Sequence, residues 1–200
     1  MKKELYKRIL SSLILIPTVF FFIIKGSYFF NYFILVVLLI ALYEWHFLSI
    51  KKNYYLPGLI FILFSFYTVY YLRNDGDFSF FLLIIIICIS TDIGGYIFGK
   101  LLKGPKLTKI SPNKTYAGTF GGFVLSFFLA NIYIKNLNIF SLEAFDTEMS
   151  KNIMFIVLSI SVISQFGDLI ISFCKRKAKI KNTGNVIPGH GGILDRIDGM

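Results

Sequence analysis

Residues 78–99 read FSFFLLIIIICISTDIGGYIFG, and this stretch is enough to assign the fold class. It is apolar over about 20 residues, the length that an α-helix needs to cross the hydrocarbon layer of a membrane. Similar runs recur along the chain, in which hydrophobic residues make up 56% of the total. The predicted fold is an all-α, polytopic integral membrane bundle of about six spans. We place these spans near residues 9–24, 28–48, 56–72, 78–99, 118–134 and 152–173.

The first apolar run follows MKKELYKR and contains Pro17. It is long and lacks a small-residue cleavage site, so we interpret it as a retained span rather than a signal peptide. Short connections join the successive runs, and the sequence shows neither an internal repeat nor a soluble module. Residues 1–200 are therefore predicted to form a single integral membrane domain.

Positive charge sets the predicted orientation. If the N-terminus is cytoplasmic, all but four of the 21 Lys and Arg residues fall on the cytoplasmic side. The four exceptions are Lys25, Arg73, Lys135 and Lys151. This is the positive-inside pattern, so both ends of the chain are predicted to be cytoplasmic. Topology and attraction to anionic lipids account for the net charge of +10, and no nucleic-acid partner is needed.

Three acidic residues lie within or at the ends of predicted spans. A charge at such a depth costs roughly 2.5–3.5 kcal/mol on insertion scales unless it faces a polar cavity. For Asp92 and Asp168 we favour a functional role over a structural contact between helices, and the surroundings of Asp168 are typical of a metal or phosphate site. Glu44 lies beside aromatic residues at a span end, which favours an interfacial anchor over a catalytic role.

The segment from Ser172 to Met200, SFCKRKAKIKNTGNVIPGHGGILDRIDGM, combines residue types that suit a triphosphate and its metal. Lys and Arg supply charge for phosphate, glycines let backbone N–H groups approach an anion, and carboxylates are ligands that Mg2+ prefers. Asp195 and Asp198 are three residues apart, so they would face the same way if a helix begins at Ile193.

A second informative loop precedes the fifth predicted span. Its residues 111–115 read SPNKT, which breaks the helical pattern and presents hydroxyl groups and an ammonium group. A helix N-terminus with free N–H groups binds phosphate, and Lys114 would neutralise it. The alternative is an ordinary basic cytoplasmic loop.

Together these segments resemble the phosphatidate cytidylyltransferases, a family of integral membrane enzymes that make CDP-diacylglycerol. The family motif runs from a Ser through Lys-Arg and a further Lys to Pro-Gly-His-Gly-Gly and Asp-Arg-x-Asp. Its positions here are Ser172, Lys175, Arg176, Lys181, Pro188, Gly189, His190, Gly191, Gly192, Asp195, Arg196 and Asp198. The resemblance extends to Asp92, to the 111–115 loop and to Gly167-Asp168.

The resemblance implies that CTP and phosphatidic acid react to give CDP-diacylglycerol and pyrophosphate, with Mg2+ as cofactor. It leaves open a second cation such as K+. The implied catalytic residues are Asp168, Lys175, Arg176, Asp195 and Asp198, and the implied metal ligands are Asp168, Asp195 and Asp198. The implied substrate contacts are Ser111, Lys114, Thr115, Ser172, Lys181, Gly189, His190, Gly191, Gly192 and Arg196. It further implies a multi-pass protein of the inner membrane with its active site facing the cytoplasm, and a homodimer.

Three positions depart from the family pattern, in which acidic residues are usual there. They are Asn182, Ala117 and Ile171. We favour a divergent but active enzyme, because Asp168, Asp195 and Asp198 remain. Members of the family continue into a further transmembrane helix beyond the point where this chain ends, so a C-terminal truncation is one interpretation.

Two rival functions fit part of the sequence. The residues DRIDG at 195–199 satisfy the opening of the DxxDG motif of CDP-alcohol phosphotransferases, but the continuation of that motif is absent. A lipid or ion transporter would also carry carboxylates in its spans. It would not explain phosphate-binding loops gathered on one side of the membrane, so the sequence favours the cytidylyltransferase.

Overall fold

The computed structural model describes residues 2–108, 111, 114–139, 147–189 and 191–199. Within these residues the chain forms seven helices and two isolated β-bridges. The helices are α1 Lys2–Lys25, α2 Ser27–Ser49, α3 Tyr55–Asn74, α4 Phe78–Leu102, α5 Tyr116–Ile139, α6 Thr147–Lys177 and α7 Leu194–Ile197. Each of the six predicted spans lies inside one of the first six helices, so the predicted all-α membrane bundle is confirmed.

Five helices are long and apolar enough to cross a membrane. These are α2, α3, α4, the part of α5 over Tyr116–Asn136 and the part of α6 over Met154–Lys177. The apolar part of α1 is shorter, Ile9–Lys25, and contains Pro17. Proline lacks the N–H group that the helix ladder uses, which weakens this helix further. That α1 also crosses the membrane stays a prediction.

The chain forms two compact units, each built from two separate stretches of sequence. The first comprises residues 1–78 and 174–197, and the second comprises residues 79–173 and 198–200. The chain therefore enters the second unit with α4 and returns to the first near the end of α6. That the whole chain is one domain stays a prediction.

In the first unit, α2 packs against α1, α3 and α7. The joint between α1 and α2 is Gly26, whose φ of 62° is a conformation that glycine adopts without strain. Arg73 of α3 donates to the carbonyl oxygen of Ile23 at 2.8 Å, which satisfies an acceptor in the last turn of α1. Asn74 donates to Asn31 of α2 at 2.9 Å. These polar contacts hold the three helices together at the end opposite to Glu44.

In the second unit, α4, α5 and α6 share a hydrophobic core. Its buried members are Leu83, Ile87, Ala130, Ile134 and Val157. Next to this core, Thr91 of α4 and Ser161 of α6 are joined by a buried hydrogen bond of 2.7 Å. The bond satisfies two hydroxyl groups that would otherwise be costly to bury.

Glycines let α4 and α5 cross at close range in the second unit. A Cβ atom placed on Gly94 would lie 2.6 Å from the carbonyl oxygen of Gly121, and one on Gly118 would lie 2.6 Å from that of Gly95. Any larger residue at these positions would push the two helices apart. Because Gly94 and Gly95 follow Asp92 closely, this crossing fixes the part of α4 that carries the Asp92 carboxylate.

Candidate active site

The predicted site residues lie in two places, one in each unit. In the first unit they lie on the C-terminal loop, which we define as residues 178–193 between α6 and α7, and on the adjoining parts of these two helices. Ile187 and Gly191 exchange two backbone hydrogen bonds of 2.9 and 3.2 Å and close a tight turn. Gly189 and Gly191 have φ values of 77° and 90°, which other residues rarely adopt. His190, which the sequence motif implies as a substrate contact, lies outside the described residues.

Asp195 holds the C-terminal loop together. Its Oδ1 accepts a hydrogen bond from Lys175 Nζ at 2.7 Å, and its Oδ2 accepts from the backbone N–H groups of Thr183 at 2.8 Å and Gly192 at 3.1 Å. Burial alone would raise the pKa of Asp195, but these hydrogen bonds and the charge of Lys175 outweigh it and hold the pKa below its ordinary value. Asp195 is therefore a charged residue engaged by three donors of the protein.

Glu44 of α2 is a second carboxylate at this loop, and only 2% of its surface is exposed. Its Oε1 accepts from the backbone N–H of Ile193, and its Oε2 accepts from the backbone N–H of Leu194 and the hydroxyl of Thr183, each at 2.9 Å. The prediction that Glu44 is an interfacial anchor is wrong, because the C-terminal loop covers it. We name the group Glu44, Lys175, Thr183, Gly192 and Asp195 the loop anchor.

In the second unit, Lys114 and Asp168 form an ion pair. The loop before α5 folds back through a hydrogen bond of 2.8 Å from Leu107 N to the carbonyl oxygen of Lys114. The Lys114 ammonium then reaches α6, with its Nζ 2.6 Å from Asp168 Oδ2 and 3.4 Å from the carbonyl oxygen of Gln165. Two residues that the sequence placed in the site from distant segments are thus in direct contact.

Three side-chain oxygens meet around Gly199 in the same unit. A Cβ atom placed on Gly199 would lie 3.2 Å from Asp168 Oδ1, 3.3 Å from Ser164 Oγ and 3.4 Å from Asp92 Oδ1. The Ser164 hydroxyl is buried and makes no regular hydrogen bond to the described residues, although the weakly donating thiol of Cys88 lies next to it. Asp92 is exposed and Asp168 is half-buried, so both carboxylates can be reached. We name Asp92 and Asp168 the span carboxylate pair.

The span carboxylate pair fits a hard cation. Carboxylate and hydroxyl oxygens are the ligands that Mg2+ prefers, and a buried hydroxyl without a regular partner is what such an ion would use. Across the described residues, however, no group of three or more His, Cys, Asp and Glu side chains is arranged to hold a metal. Asp198 approaches Gly167 through its backbone, since a Cβ on Gly167 would contact the Asp198 carbonyl oxygen. The Mg2+ assignment stays a prediction.

The remaining predicted residues have other surroundings. Thr115 caps α5, because its hydroxyl accepts the N–H of Gly118 at 3.1 Å. Ser111 belongs to the turn before it, with its N–H donating to Thr108 Oγ1 at 3.2 Å. Ser172 is half-buried on α6. The exposed members are Arg176, Lys181 and Arg196.

The departures from the family pattern lie in both units. A Cβ placed on Gly191 would lie 3.3 Å from the Cβ and Cγ atoms of Asn182, so Asn182 borders the turn of the C-terminal loop. Ile171 is buried on α6, where an apolar side chain avoids the cost of burying a charge. Ala117 is half-buried in the first turn of α5.

Comparison with known proteins agrees with the motif. The sequence profile of the Cytidylyltransferase family matches residues 62–200. The chain belongs to this family. Proteins named phosphatidate cytidylyltransferase from Rickettsia bellii and Rickettsia felis are each 36% identical to it, over 203 and 214 residues; the alignments cover 100% of this chain and 87% and 88% of theirs. One from Brucella suis is 38% identical over 146 residues, 72% of this chain and 51% of its own.

Three residues at these two places were not assigned to the site from the sequence. Ser164 could have been found, because it lies one helical turn before Asp168 and so shares its face of α6. Thr183 gives no signal in the sequence. For Glu44 the sequence shows only that an acidic residue lies in an apolar run. The residues that donate hydrogen bonds to it follow about 140–150 residues later. Glu44 also lies before the residues that the family profile matches.

Proposed function

We propose that this protein is a phosphatidate cytidylyltransferase, which converts CTP and phosphatidic acid into CDP-diacylglycerol and pyrophosphate. The observation that carries the proposal is the span carboxylate pair, which lies on helices apolar enough to cross a membrane and is met by Lys114 from the loop before α5. A lipid phosphate cannot leave the membrane surface, so a group that handles its charge belongs at the end of such helices. The relatives that bear this name support the substrates.

In the proposed reaction, a phosphate oxygen of phosphatidic acid attacks the α-phosphorus of CTP. The bond from that phosphorus to the oxygen bridging to the β-phosphorus breaks, and pyrophosphate leaves with the bonding electrons. Two polyanions must meet, so catalysis depends on neutralising charge and on positioning. Lys114, whose ammonium already lies among acceptors of α6, would bring one phosphate to the span carboxylate pair.

Mg2+ would be held by Asp92 and Asp168 with the Ser164 hydroxyl, and when bound it would neutralise phosphate oxygens. Asp195 and Asp198 as further ligands, and K+ as a second cation, stay predictions. In the first unit, Lys175, Arg176 and Arg196 would hold phosphates of CTP. The backbone of Gly189, Gly191 and Gly192 would border the nucleotide, because glycines let an anion approach the chain closely.

The proposed location is the inner membrane, with the active site facing the cytoplasm where CTP is made. The bias of Lys and Arg toward one side of the spans supports this orientation. Single cysteines replacing Lys52 and Lys179 should react with an impermeant thiol reagent from the cytoplasmic side, and one replacing Asp75 should react from the other. The reverse pattern would contradict the orientation. Assembly as a homodimer stays a prediction.

The direct test is an assay of the full chain purified in detergent. Radiolabelled CTP and phosphatidic acid are supplied with Mg2+, and lipid-soluble label is separated from pyrophosphate. We expect CDP-diacylglycerol and pyrophosphate in equal amounts, and no product when a chelator removes Mg2+. A folded preparation that forms no CDP-diacylglycerol would contradict the proposal.

A second assay distinguishes the proposed cytidylyltransferase from a CDP-alcohol phosphotransferase. CDP-diacylglycerol is supplied with glycerol 3-phosphate in place of CTP and phosphatidic acid. A CDP-alcohol phosphotransferase would release CMP from this mixture, whereas we expect no CMP. Release of CMP together with no reaction of CTP would favour the phosphotransferase reading of residues 195–199.

A further inference from the structure

Glu44 is an acidic residue of α2 that the proposed reaction does not use, yet the fold buries it and surrounds it with hydrogen-bond donors. Its side chain is buried, and its two oxygens accept three hydrogen bonds from the C-terminal loop and α7. A carboxylate removed from water is tolerated only when donors replace the water it has lost. The three donors at 2.9 Å meet that condition, so Glu44 is held in one position relative to the loop.

The donors are themselves groups that need an acceptor. The N–H groups of Ile193 and Leu194 lie at the start of α7, where a helix has no acceptors of its own. A side chain within the same segment usually fills this role. Here the acceptor comes from α2, about 150 residues earlier in the chain.

Two glycines of the loop pack closely against the Glu44 carboxylate. A Cβ atom placed on Gly184 would lie 2.7 Å from Glu44 Oε1, and one placed on Gly192 would contact both Glu44 oxygens. A side chain at either position would therefore displace the carboxylate. Gly192 is the last glycine of the Pro-Gly-His-Gly-Gly motif. A glycine fits at this position because Glu44 occupies the space that a side chain would fill.

Glu44 and Asp195 hold the same two residues from different sides. Thr183 donates its hydroxyl to Glu44 and its backbone N–H to Asp195. Gly192 donates its N–H to Asp195 and packs against Glu44. Movement of Glu44 would thus be passed to Asp195 and, through it, to Lys175, the first basic residue of the motif, in the last turn of α6.

We propose that Glu44 is a positioning residue for the nucleotide site: it holds Thr183, Gly192 and Asp195 in the conformation that binds CTP, without touching the substrate itself. The inference rests on the proposed function and extends it to a part of the chain that the family profile does not match. It assigns CTP, rather than phosphatidic acid, as the substrate whose binding depends on Glu44.

The first variant is Glu44→Gln, which keeps the size of the side chain but replaces one acceptor oxygen with an NH2 group. That group cannot accept from the N–H donors that face it. Because hydrogen bonds to a charged group are stronger than neutral ones, we expect the KM for CTP to rise at least about tenfold, with a smaller fall in kcat. The KM for phosphatidic acid should stay unchanged.

Two further variants keep the test decisive if Glu44→Gln fails to fold. Glu44→Asp retains the charge on a shorter side chain and should recover part of the CTP affinity. Thr183→Val removes one hydroxyl donor to Glu44 but leaves the backbone N–H for Asp195, and should raise the KM for CTP severalfold. The matched control is Asn31→Ala, which deletes a hydrogen bond at the opposite end of α2 and should lower thermal stability without changing the KM for CTP.

CTP binding is also measured without turnover, as the rise in melting temperature that CTP causes. We expect this rise in the unmodified protein and in Asn31→Ala, and its loss in Glu44→Gln. Folded Glu44 variants with an unchanged KM for CTP and an unchanged rise would overturn the inference. Equal changes for both substrates would also overturn it, since they indicate a general structural role. Failure of the unmodified protein to make CDP-diacylglycerol would count against the proposed function alone.

Discussion

Two pairs of carboxylates in this chain differ in how many hydrogen-bond donors surround them. In the loop anchor, Glu44 and Asp195 each accept three hydrogen bonds, and their donors are mostly backbone N–H groups. In the span carboxylate pair, Asp168 receives the Lys114 ammonium on one oxygen. Its other oxygen faces an oxygen of Asp92 and the Ser164 hydroxyl around Gly199.

The difference indicates what each pair is for. A carboxylate whose lone pairs are filled by fixed donors has its geometry set by the fold and is suited to positioning other groups. Acceptor oxygens that gather around a common point repel one another and need a positive charge between them. The contrast supports the proposal that the loop anchor holds the C-terminal loop in place and that the span carboxylate pair takes part in the chemistry of the phosphates.

The largest effect should come from Asp168→Asn. The substitution keeps the size of the side chain but removes the charge that faces Lys114 and the proposed cation. Loss of one charge that stabilises the transition state costs on the order of 3 kcal/mol, so we expect kcat to fall about 100-fold or more. The measurement is initial rate at saturating CTP, phosphatidic acid and Mg2+, with the melting temperature as the check on folding.

The matched control for this variant is Asp75→Asn, at an exposed position after α3. It removes the same charge from the same residue type and should leave kcat unchanged. If Asp168→Asn retained full turnover at limiting Mg2+, the contrast between the two carboxylate pairs would be lost. The search for the catalytic carboxylates would then move to Asp195 and Asp198.

Asp195→Asn tests the same contrast at the loop anchor. The amide keeps only one acceptor oxygen, so either Lys175 or the two backbone N–H groups of Thr183 and Gly192 lose their acceptor, and the loop should loosen as in Glu44→Gln. We expect the KM for CTP to rise about tenfold, with the Mg2+ concentration for half-maximal rate unchanged. A large rise in that Mg2+ concentration would instead support the metal-ligand role that the sequence motif implies for Asp195.

A smaller effect is expected from Lys114→Met. In the proposed reaction the ammonium would contact phosphate in the ground state as well as in the transition state, so its loss should weaken substrate binding more than it lowers kcat. We expect a rise in KM of about fivefold to tenfold for one substrate, typical of one charged hydrogen bond. Lys106→Met, at an exposed position of the same loop, is the control. An equal rise for both variants would indicate only a general effect of loop charge.

The sequence predicted the helices well because a long apolar run has few alternatives in a membrane. It also predicted that Lys114 and Asp168 belong to one site. It did not predict the loop anchor, because hydrogen bonds from backbone N–H groups to Glu44 leave no pattern in the sequence. Nor could spacing show that Asp195 would be occupied by Lys175, Thr183 and Gly192, since that depends on how the C-terminal loop folds back.

The smallest effect concerns pH and tests whether Asp195 is held as an anion. Its pKa is below the ordinary value of 3.8, because donors outweigh the effect of burial. The stabilisation that it contributes is therefore complete above 3.8 and is lost as the pH falls through the lowered pKa. We expect the unmodified protein to melt at a higher temperature than Asp195→Asn by a constant difference from neutral pH down to about pH 4, and the difference to shrink only below that.

The measurement is thermal unfolding in detergent at each pH, with Asp75→Asn as a control that should show no such trend. A difference that already shrinks between about pH 7 and pH 5 would mean that burial raises the pKa instead, since a raised pKa titrates in that range. Asp195 would then change protonation within that range and would not hold the C-terminal loop as a fixed anion.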